Sequence, residues 1–284
     1  MTGGMLSMVG TPIGNLDDAS PRVLATLRSA DVLLCEDTRV TSKLLARFDI
    51  RVSLMRCDQN VIVSRLASVL DRVEAGERVA FVSDAGMPGV SDPGQRLVDA
   101  ALDAGVAVEV LPGPTAVATA YVASGFTCPR FYFGGFFPRK AGERAQVLQT
   151  ACGLDAVSLY YESPHRIASA LADVAAALPM RRVAVCRELT KLHEETVRGL
   201  SGDVAAEFAA READGGVKGE IVLVIDAPGE QELEQESRDA AASAAERAAQ
   251  LIAEGALSRK DIVKKLRDEF GISRNEAYEL VHGA

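Results

Sequence analysis

The chain of 284 residues has only three histidines, His165, His193 and His282, and they are too dispersed for a zinc triad. Its five cysteines, Cys35, Cys57, Cys128, Cys152 and Cys186, are odd in number, scattered and without a CxxC pair. That argues against a disulfide framework and for reduced thiols in the cytoplasm. No apolar run approaches the length of a membrane span, and the opening MTGGMLSMVG lacks the basic region and apolar stretch of a signal peptide. Neither G-x-G-x-x-G nor G-x-x-x-x-G-K-[ST] occurs, and GVSDPG is one residue too long for a G-x-S-x-G elbow. Positive charge is not in excess either. The formal net charge is −9, which disfavours loose binding to nucleic acid, so an RNA would have to be held by a local basic surface.

What is present is an ordinary globular composition, 48% hydrophobic and 25% charged, at a length suited to two domains. The first part alternates strand and helix patterns. LSMVG, DVLLCED, RVAFVSD and VAVEVLPG read as strands. SPRVLATLRSA reads as a helix with Ser20 as N-cap and Pro21 in its first turn, VIVSRLASVLDRVEAG as a helix stopping at Gly76, and a further helix follows Asp92. This alternation predicts a mostly parallel sheet covered on both faces. After LPGPTA the texture changes: RFYFGGFF, AVSLYYES, RRVAVCREL, EETVRGLS and GEIVLVIDA read as strands and RAQVLQTA and PHRIASALADVAAAL as helices, which predicts a second α/β domain with a mixed sheet. The expected boundaries are residues 1–113, 114–227, an acidic linker over 228–236 (from PGEQELEQESRD), and a small helical appendage over 237–284.

Three Gly/Pro loops follow strands of the first part: GTPIGN after Val9, SDAGMPG after Val82 and PGPTA after Leu111. In a parallel sheet such loops emerge at one edge, where ligands of open α/β sheets bind. Glycine lets a ligand approach the backbone and proline fixes the loop shape. Any one loop reads most simply as a turn; three at one edge read as a site, built to hold a reactive cofactor and position a substrate.

The ordered motifs VGTPIGNLDD, ADVLLCEDTR, VSDAGMPGVSDPG, LPGPTA, YESPHR, RELTK followed by EE, and KGEIVLVI, running from about Met8 to Asp226, resemble the tetrapyrrole-methylase superfamily, and within it the branch of ribosomal RNA small-subunit methyltransferases. The helical tail resembles that branch too. Met87 is a departure, standing where a smaller polar residue such as Thr is expected. The resemblance implies a two-domain α/β fold, S-adenosylmethionine bound in the cleft between the domains, a homodimer, and methylation of the ribose 2′-hydroxyl of a cytidine near the decoding centre of small-subunit (16S) ribosomal RNA. Carried over by motif, the cofactor residues are Pro12, Ile13, Asp84, Met87, Thr115, Ala116, Tyr161, Gly219 and Glu220. Packing alone would explain Pro12, Ile13, Met87 and Ala116, and capping of loop amides would explain Asp84.

A ribose hydroxyl must lose its proton to react. Candidate groups are Glu36, Asp37 and Arg39 in CEDTR, with an internal Asp37–Arg39 pair as the plain alternative, and Glu188, Lys191 and Glu195 in RELTKLHEE. RNA contacts are expected from Arg139, Lys140 and Arg144 in PRKAGER, and from Arg259, Lys260, Lys264, Lys265 and Arg267 in SRKDIVKKLR, against the plain reading of solvated helix faces. LRDEFGISRNEAYEL has the spacing of a helix-turn-helix. Two alternatives therefore stand beside the RNA methylase: a tetrapyrrole small-molecule methylase, and a nucleic-acid-binding regulator using the C-terminal helices.

Overall fold

A computed structural model describes residues 4–283 of the chain. Strand β1 (Met5–Val9) is the centre of the first sheet. Parallel to it run β4 (Arg78–Val82) on one side and β5 (Val108–Leu111) on the other; β2 (Val32–Cys35) pairs with β4, and β3 (Ser53–Arg56) with β2. The order β3-β2-β4-β1-β5 is wholly parallel. Uninterrupted buried runs such as VLLC and VAFV are what a sheet covered on both faces requires. Leu6, Met8, Leu34 and Phe81 pack under α3 (Ile62–Glu74) and α4 (Gly94–Asp103). Val9, Leu33, Ala80 and Val82 pack under α1 (Pro21–Ser29) and α2 (Thr38–Arg47).

The second sheet is mixed, in the order β6-β7-β10-β8-β9. β6 (Phe131–Phe136) runs parallel to β7 (Val157–Glu162), and β10 (Ile221–Ile225) is antiparallel to β7 and β8 (Arg182–Arg187). β9 (Glu195–Leu200) is antiparallel to β8. One face is covered by α6 (Ala141–Cys152), α7 (Ile167–Ala177) and α8 (Ser201–Ala213), and the other by α5 (Ala116–Ser124). Ile13 of the first loop packs into that second face with Val117, Leu189 and Val222. The two sheets accordingly belong to one compact unit that ends at Ala227.

The second unit is Pro228–Ala284. Its first helix, α9 (Glu230–Glu254), begins at Glu230, so the linker expected over 228–236 is instead mostly helix. Glu230 and Glu232 stand in its first turn, where the helix dipole favours negative charge, and Glu234 pairs with Arg238 one turn on at 3.2 Å. Acidic composition here makes a helix rather than a solvated coil. α10 (Arg259–Phe270) and α11 (Arg274–His282) follow, capped by Ser258 and by a Ser273–Glu276 capping box. Ala248, Leu251, Ile262, Leu266, Ala277 and Val281 give this unit its own core. Among the described residues no helix is long and apolar enough to cross a membrane.

Candidate active site

Strand register sets the site. Val9 lies beside Leu111, and Cys35 beside Val82, so the chain leaves four parallel strands at one edge. The loops there are fastened to one another. Thr11 and Gly86 exchange backbone hydrogen bonds of 2.8 and 3.1 Å, with Gly86 at φ +80°. Gly10 and Gly113 touch so closely that a Cβ on either would lie 2.7 Å from the other's Cα. Asp92 closes the second loop by accepting from the N–H groups of Gly89 (2.7 Å) and Gly94 (2.8 Å), and Ser91 before it has φ +66°, a left-handed conformation that strains a residue with a side chain.

A fourth loop joins them. Asp37 donates its N–H to Asp84 Oδ1 at 3.0 Å, and Asp84 donates its own N–H to Glu36 Oε1 at 3.3 Å. Asp84 is thus both a loop cap and part of the cavity wall. Burial pushes the Glu36 carboxyl above its ordinary value. Asp37 is the opposite case: the side-chain hydrogen bonds from Arg39 hold it at about 2. Arg39 of that pair is 87% exposed and Asp37 half-buried.

The second sheet supplies the facing wall. Ile221 pairs with Glu162 on β7 and with Arg187 on β8, which brings the end of β7, the start of β10 and the end of β8 to one edge. Between this edge and the four loops lies a cavity of about 590 Å³, within the range of small-molecule sites. Of the nine residues expected to hold a cofactor, Ile13, Asp84, Met87, Thr115, Ala116, Tyr161, Gly219 and Glu220 line it; Pro12 is buried and does not. Glu162 was not singled out by the sequence, although its motif was. Its side chain is 1% exposed. One carboxylate oxygen accepts from the Ser163 N–H and pairs with Arg166, the other accepts no hydrogen bond, and burial raises its pKa. An acidic residue closing an apolar strand, directly after Tyr161, was the available signal.

The catalytic candidates Asp37, Arg39, Glu188 and Lys191 do not line the cavity, whereas Glu36 does. Glu188 (φ +50°) and Thr190 (φ +66°) belong to a strap that ties the second sheet to the first loop, Asn15 donating its N–H to Thr190 Oγ1 at 3.1 Å. Within the strap Lys191 bridges Glu188 at 2.8 Å and Glu220 at 3.1 Å, and its hydrogen bond lowers the Glu188 pKa. Glu195 is occupied by Arg187 and Arg211.

The basic residues are less open than their sequence suggests. Arg144 is turned onto α7, paired with Asp173 at 3.0 Å, and Lys140 pairs with Glu143 at 3.0 Å; Arg139 remains exposed. In the second unit Lys260 and Lys264 are exposed on α10, and Lys265 lies 3.8 Å from Glu269.

Residues 5–205 match the family Tetrapyrrole (Corrin/Porphyrin) Methylases. A protein of Halalkalibacterium halodurans named ribosomal RNA small subunit methyltransferase I is 39% identical over 98% of this chain and 95% of its own length. The protein of that name from Bacillus subtilis is 35% identical over 98% and 94%, and that from Mycobacterium tuberculosis 46% identical over 79% and 78%. Among solved structures, a cobalt precorrin-4 methyltransferase (19% identity, TM-score 0.57, covering 78% of this chain and 94% of that one) and a diphthine synthase (16%, 0.61, 78% and 90%) share the fold. Motif order, the two sheets and the relatives that run nearly the whole length of the chain agree: the chain belongs to the tetrapyrrole methylases and, within them, to the ribosomal RNA small subunit methyltransferase I family.

Proposed function

We propose that the protein transfers a methyl group from S-adenosylmethionine to the ribose 2′-hydroxyl of a cytidine near the decoding centre of small-subunit (16S) ribosomal RNA, acting in the cytoplasm as a homodimer. The observation that carries this reading is the convergence of four loops of the parallel sheet and one edge of the mixed sheet on a single cavity. Relatives matched over nearly the full chain at 35–39% identity favour RNA over a tetrapyrrole as substrate, because the tetrapyrrole-modifying proteins among the solved structures share the fold at only 16–19% identity. The cavity lies within the first unit, which favours an enzyme over a regulator working through the C-terminal helices alone.

The residues fit that cofactor. Ile13, Ala116, Leu189 and Val222 give an apolar wall for an adenine, and the bare backbone at Gly86 and Gly219 allows close approach. Five carboxylates line the cavity and, among the described residues, no Lys, Arg or His does, which suits a ligand of net positive charge and would repel a nucleoside phosphate. S-adenosylmethionine supplies a methyl group already made electrophilic by its sulfonium. What remains for the protein is to orient a hydroxyl and accept its proton. Glu36 is the carboxylate placed to do so: it is on the cavity wall, anchored through one oxygen by the Asp84 amide, and not consumed by an ion pair among the described residues. Asp37 and Glu188 are held ionised by Arg39 and Lys191 and are poor proton acceptors.

RNA engagement is assigned to the second unit, whose α10 exposes Lys260 and Lys264, with Lys265 beside them and Arg139 of the first unit as a further contact. A protein ending at Ala227 is expected to bind S-adenosylmethionine in a calorimeter as the full chain does. It should methylate small ribosomal subunits at least about tenfold more slowly, the loss expected from a few phosphate contacts. Full-rate methylation by the shortened protein would remove the second unit from the RNA reading.

A further inference from the structure

Between Phe133 and Phe136 the pairing of β6 with β7 slips by one residue. Phe133 lies beside Leu159 and Phe136 beside Tyr161, so three steps on one strand match two on the other. The extra residue is a β-bulge, and it reverses the face that the following side chains take. In a regular strand Phe136 would turn under α6 and α7. Phe137 is buried there instead, edge-on to Tyr160 at 5.3 Å. Gly135 carries the bulge at φ +74°, and a Cβ on Gly134 would collide with the Tyr160 ring, so neither position accepts a side chain without strain. Phe136 is thereby turned to the cavity side. Its ring meets Tyr161 edge-on at 5.4 Å, and Tyr161 meets Phe133 at 4.9 Å, yet Phe136 is 65% exposed. Phe131 and Tyr132, at the start of the strand, are also exposed but do not line the cavity; Phe136 does. Leaving so large an apolar ring in water on the wall of a site forgoes burial that a folded chain ordinarily takes.

Resting on the RNA-methylation reading above, we propose that Phe136 is the stacking platform for a base of the substrate RNA, that of the nucleotide whose ribose is methylated. The platform stands apart from the apolar wall given to the adenine. Leu189 follows β8, and β6 and β8 are separated by three strand spacings, about 14 Å. An adenine against Leu189 and Val222 leaves the β6 end of the cavity to the substrate. That end is also within reach of the proton acceptor. Beyond the effect of burial, the charge of Asp92 raises the pKa of both Tyr161 and Glu36, so one loop residue lies near the ring pair and near the proposed base. Arg139, three residues after Phe136, is exposed and supplies a cation for a phosphate beside the ring. Unstacked RNA bases are commonly received on aromatic faces in this way. A ribose that enters a cavity draws its base away from its neighbours, and the Phe136 ring replaces the stacking that is lost. The ring thereby holds the sugar with its hydroxyl toward the methyl group.

The test uses the full chain, labelled S-adenosylmethionine and small ribosomal subunits purified from a strain that lacks the gene. Phe136→Ala is expected to lower kcat/KM about 5- to 150-fold, the loss of one stacked base. Phe136→Trp keeps a π face and should stay within about threefold of wild type. Phe136→Leu, apolar but without that face, should stay at least about fivefold below it. Cofactor affinity by calorimetry, Tm and the mass in sedimentation should match wild type in all three variants, because the ring is exposed. Wild-type kcat/KM in Phe136→Ala, or full activity in Phe136→Leu, overturns the stacking platform while leaving the methyltransferase reading intact. A matching loss of cofactor affinity in Phe136→Ala overturns it by assigning the ring to the cofactor, and a change of mass by assigning it to a second copy of the chain. Failure of the methyltransferase reading looks different: wild type itself then transfers no methyl group to the subunits, and the platform falls with it.

Discussion

Glu36→Gln is expected to slow methyl transfer roughly 10²- to 10⁴-fold, the range for loss of a positioned general base. Cofactor affinity should fall no more than severalfold, and the fold should be unaffected, since glutamine can still accept from the Asp84 amide. The pH profile gives the sharper readout. Burial raises the Glu36 pKa above its ordinary 4.5, and the working form is the carboxylate. As pH falls through that raised value the group takes up a proton and activity falls with it, so the acid limb of kcat/KM lies at higher pH than an ordinary glutamate would set. Asp37 behaves otherwise: held at about 2 by Arg39, it stays ionised across the whole working range, and Asp37→Asn, still a competent helix cap, is expected to leave that limb in place. Stopped-time assays with labelled cofactor across pH separate the two residues. Retention of the acid limb in Glu36→Gln would assign the proton to another group.

Gly113→Val should damage the site through its frame. A Cβ at Gly113 would lie 2.7 Å from Gly10 Cα and 2.8 Å from its carbonyl carbon, both backbone atoms that cannot step aside. The loops after β1 and β5 would have to part, at an overpacking cost of about 1–3 kcal/mol. If that cost falls on the site, cofactor binding weakens roughly 5- to 150-fold, and if on the fold, Tm drops by about 2–4 °C per kcal/mol in a protein of this size. Calorimetry and a melting curve on one sample read both. Gly76→Ala is the control: its Cβ would meet nothing within 4 Å, although its φ of +97° adds local strain away from the cavity. A Gly113→Val protein with wild-type affinity and Tm would show that the contact between these loops is dispensable.

The parallel sheet and its loop edge were readable because their signals are local. Buried strands such as RVAFV are continuous apolar runs, and Gly/Pro clusters follow them directly. Elements that the sequence hid share a different physics. β3 is an edge strand of half-exposed residues, so Ser53–Arg56 carries no apolar run. α5 is apolar on every side, AVATAYVAS, because it covers the second sheet, and so lacks the 3.6-residue alternation that marks an amphipathic helix. α9 begins within residues that composition assigned to a linker.

The cavity was legible as a set of loops, and less so as chemistry. Tyr161 and Gly219 were placed by motif, and they reach the cavity because β7 and β10 are antiparallel neighbours. Which carboxylates would be spent on ion pairs was not legible. Asp37 with Arg39 and Glu188 with Lys191 are short-range partners, but only the folded loops show that Glu36 escapes pairing and that Arg144 is drawn to Asp173 on another helix. Glu162 closes an apolar strand in the sequence, but its near-complete burial on the cavity wall was not legible there.

The most direct measurement is a map of ribose methylation across small-subunit ribosomal RNA from three strains of one background: one carrying the wild-type gene, one lacking it, and one carrying Glu36→Gln at equal protein level. A single 2′-O-methylated cytidine near the decoding centre, present with the wild-type gene, absent without it and nearly absent with Glu36→Gln, is the expected result. An identical methylation map in all three strains would contradict it.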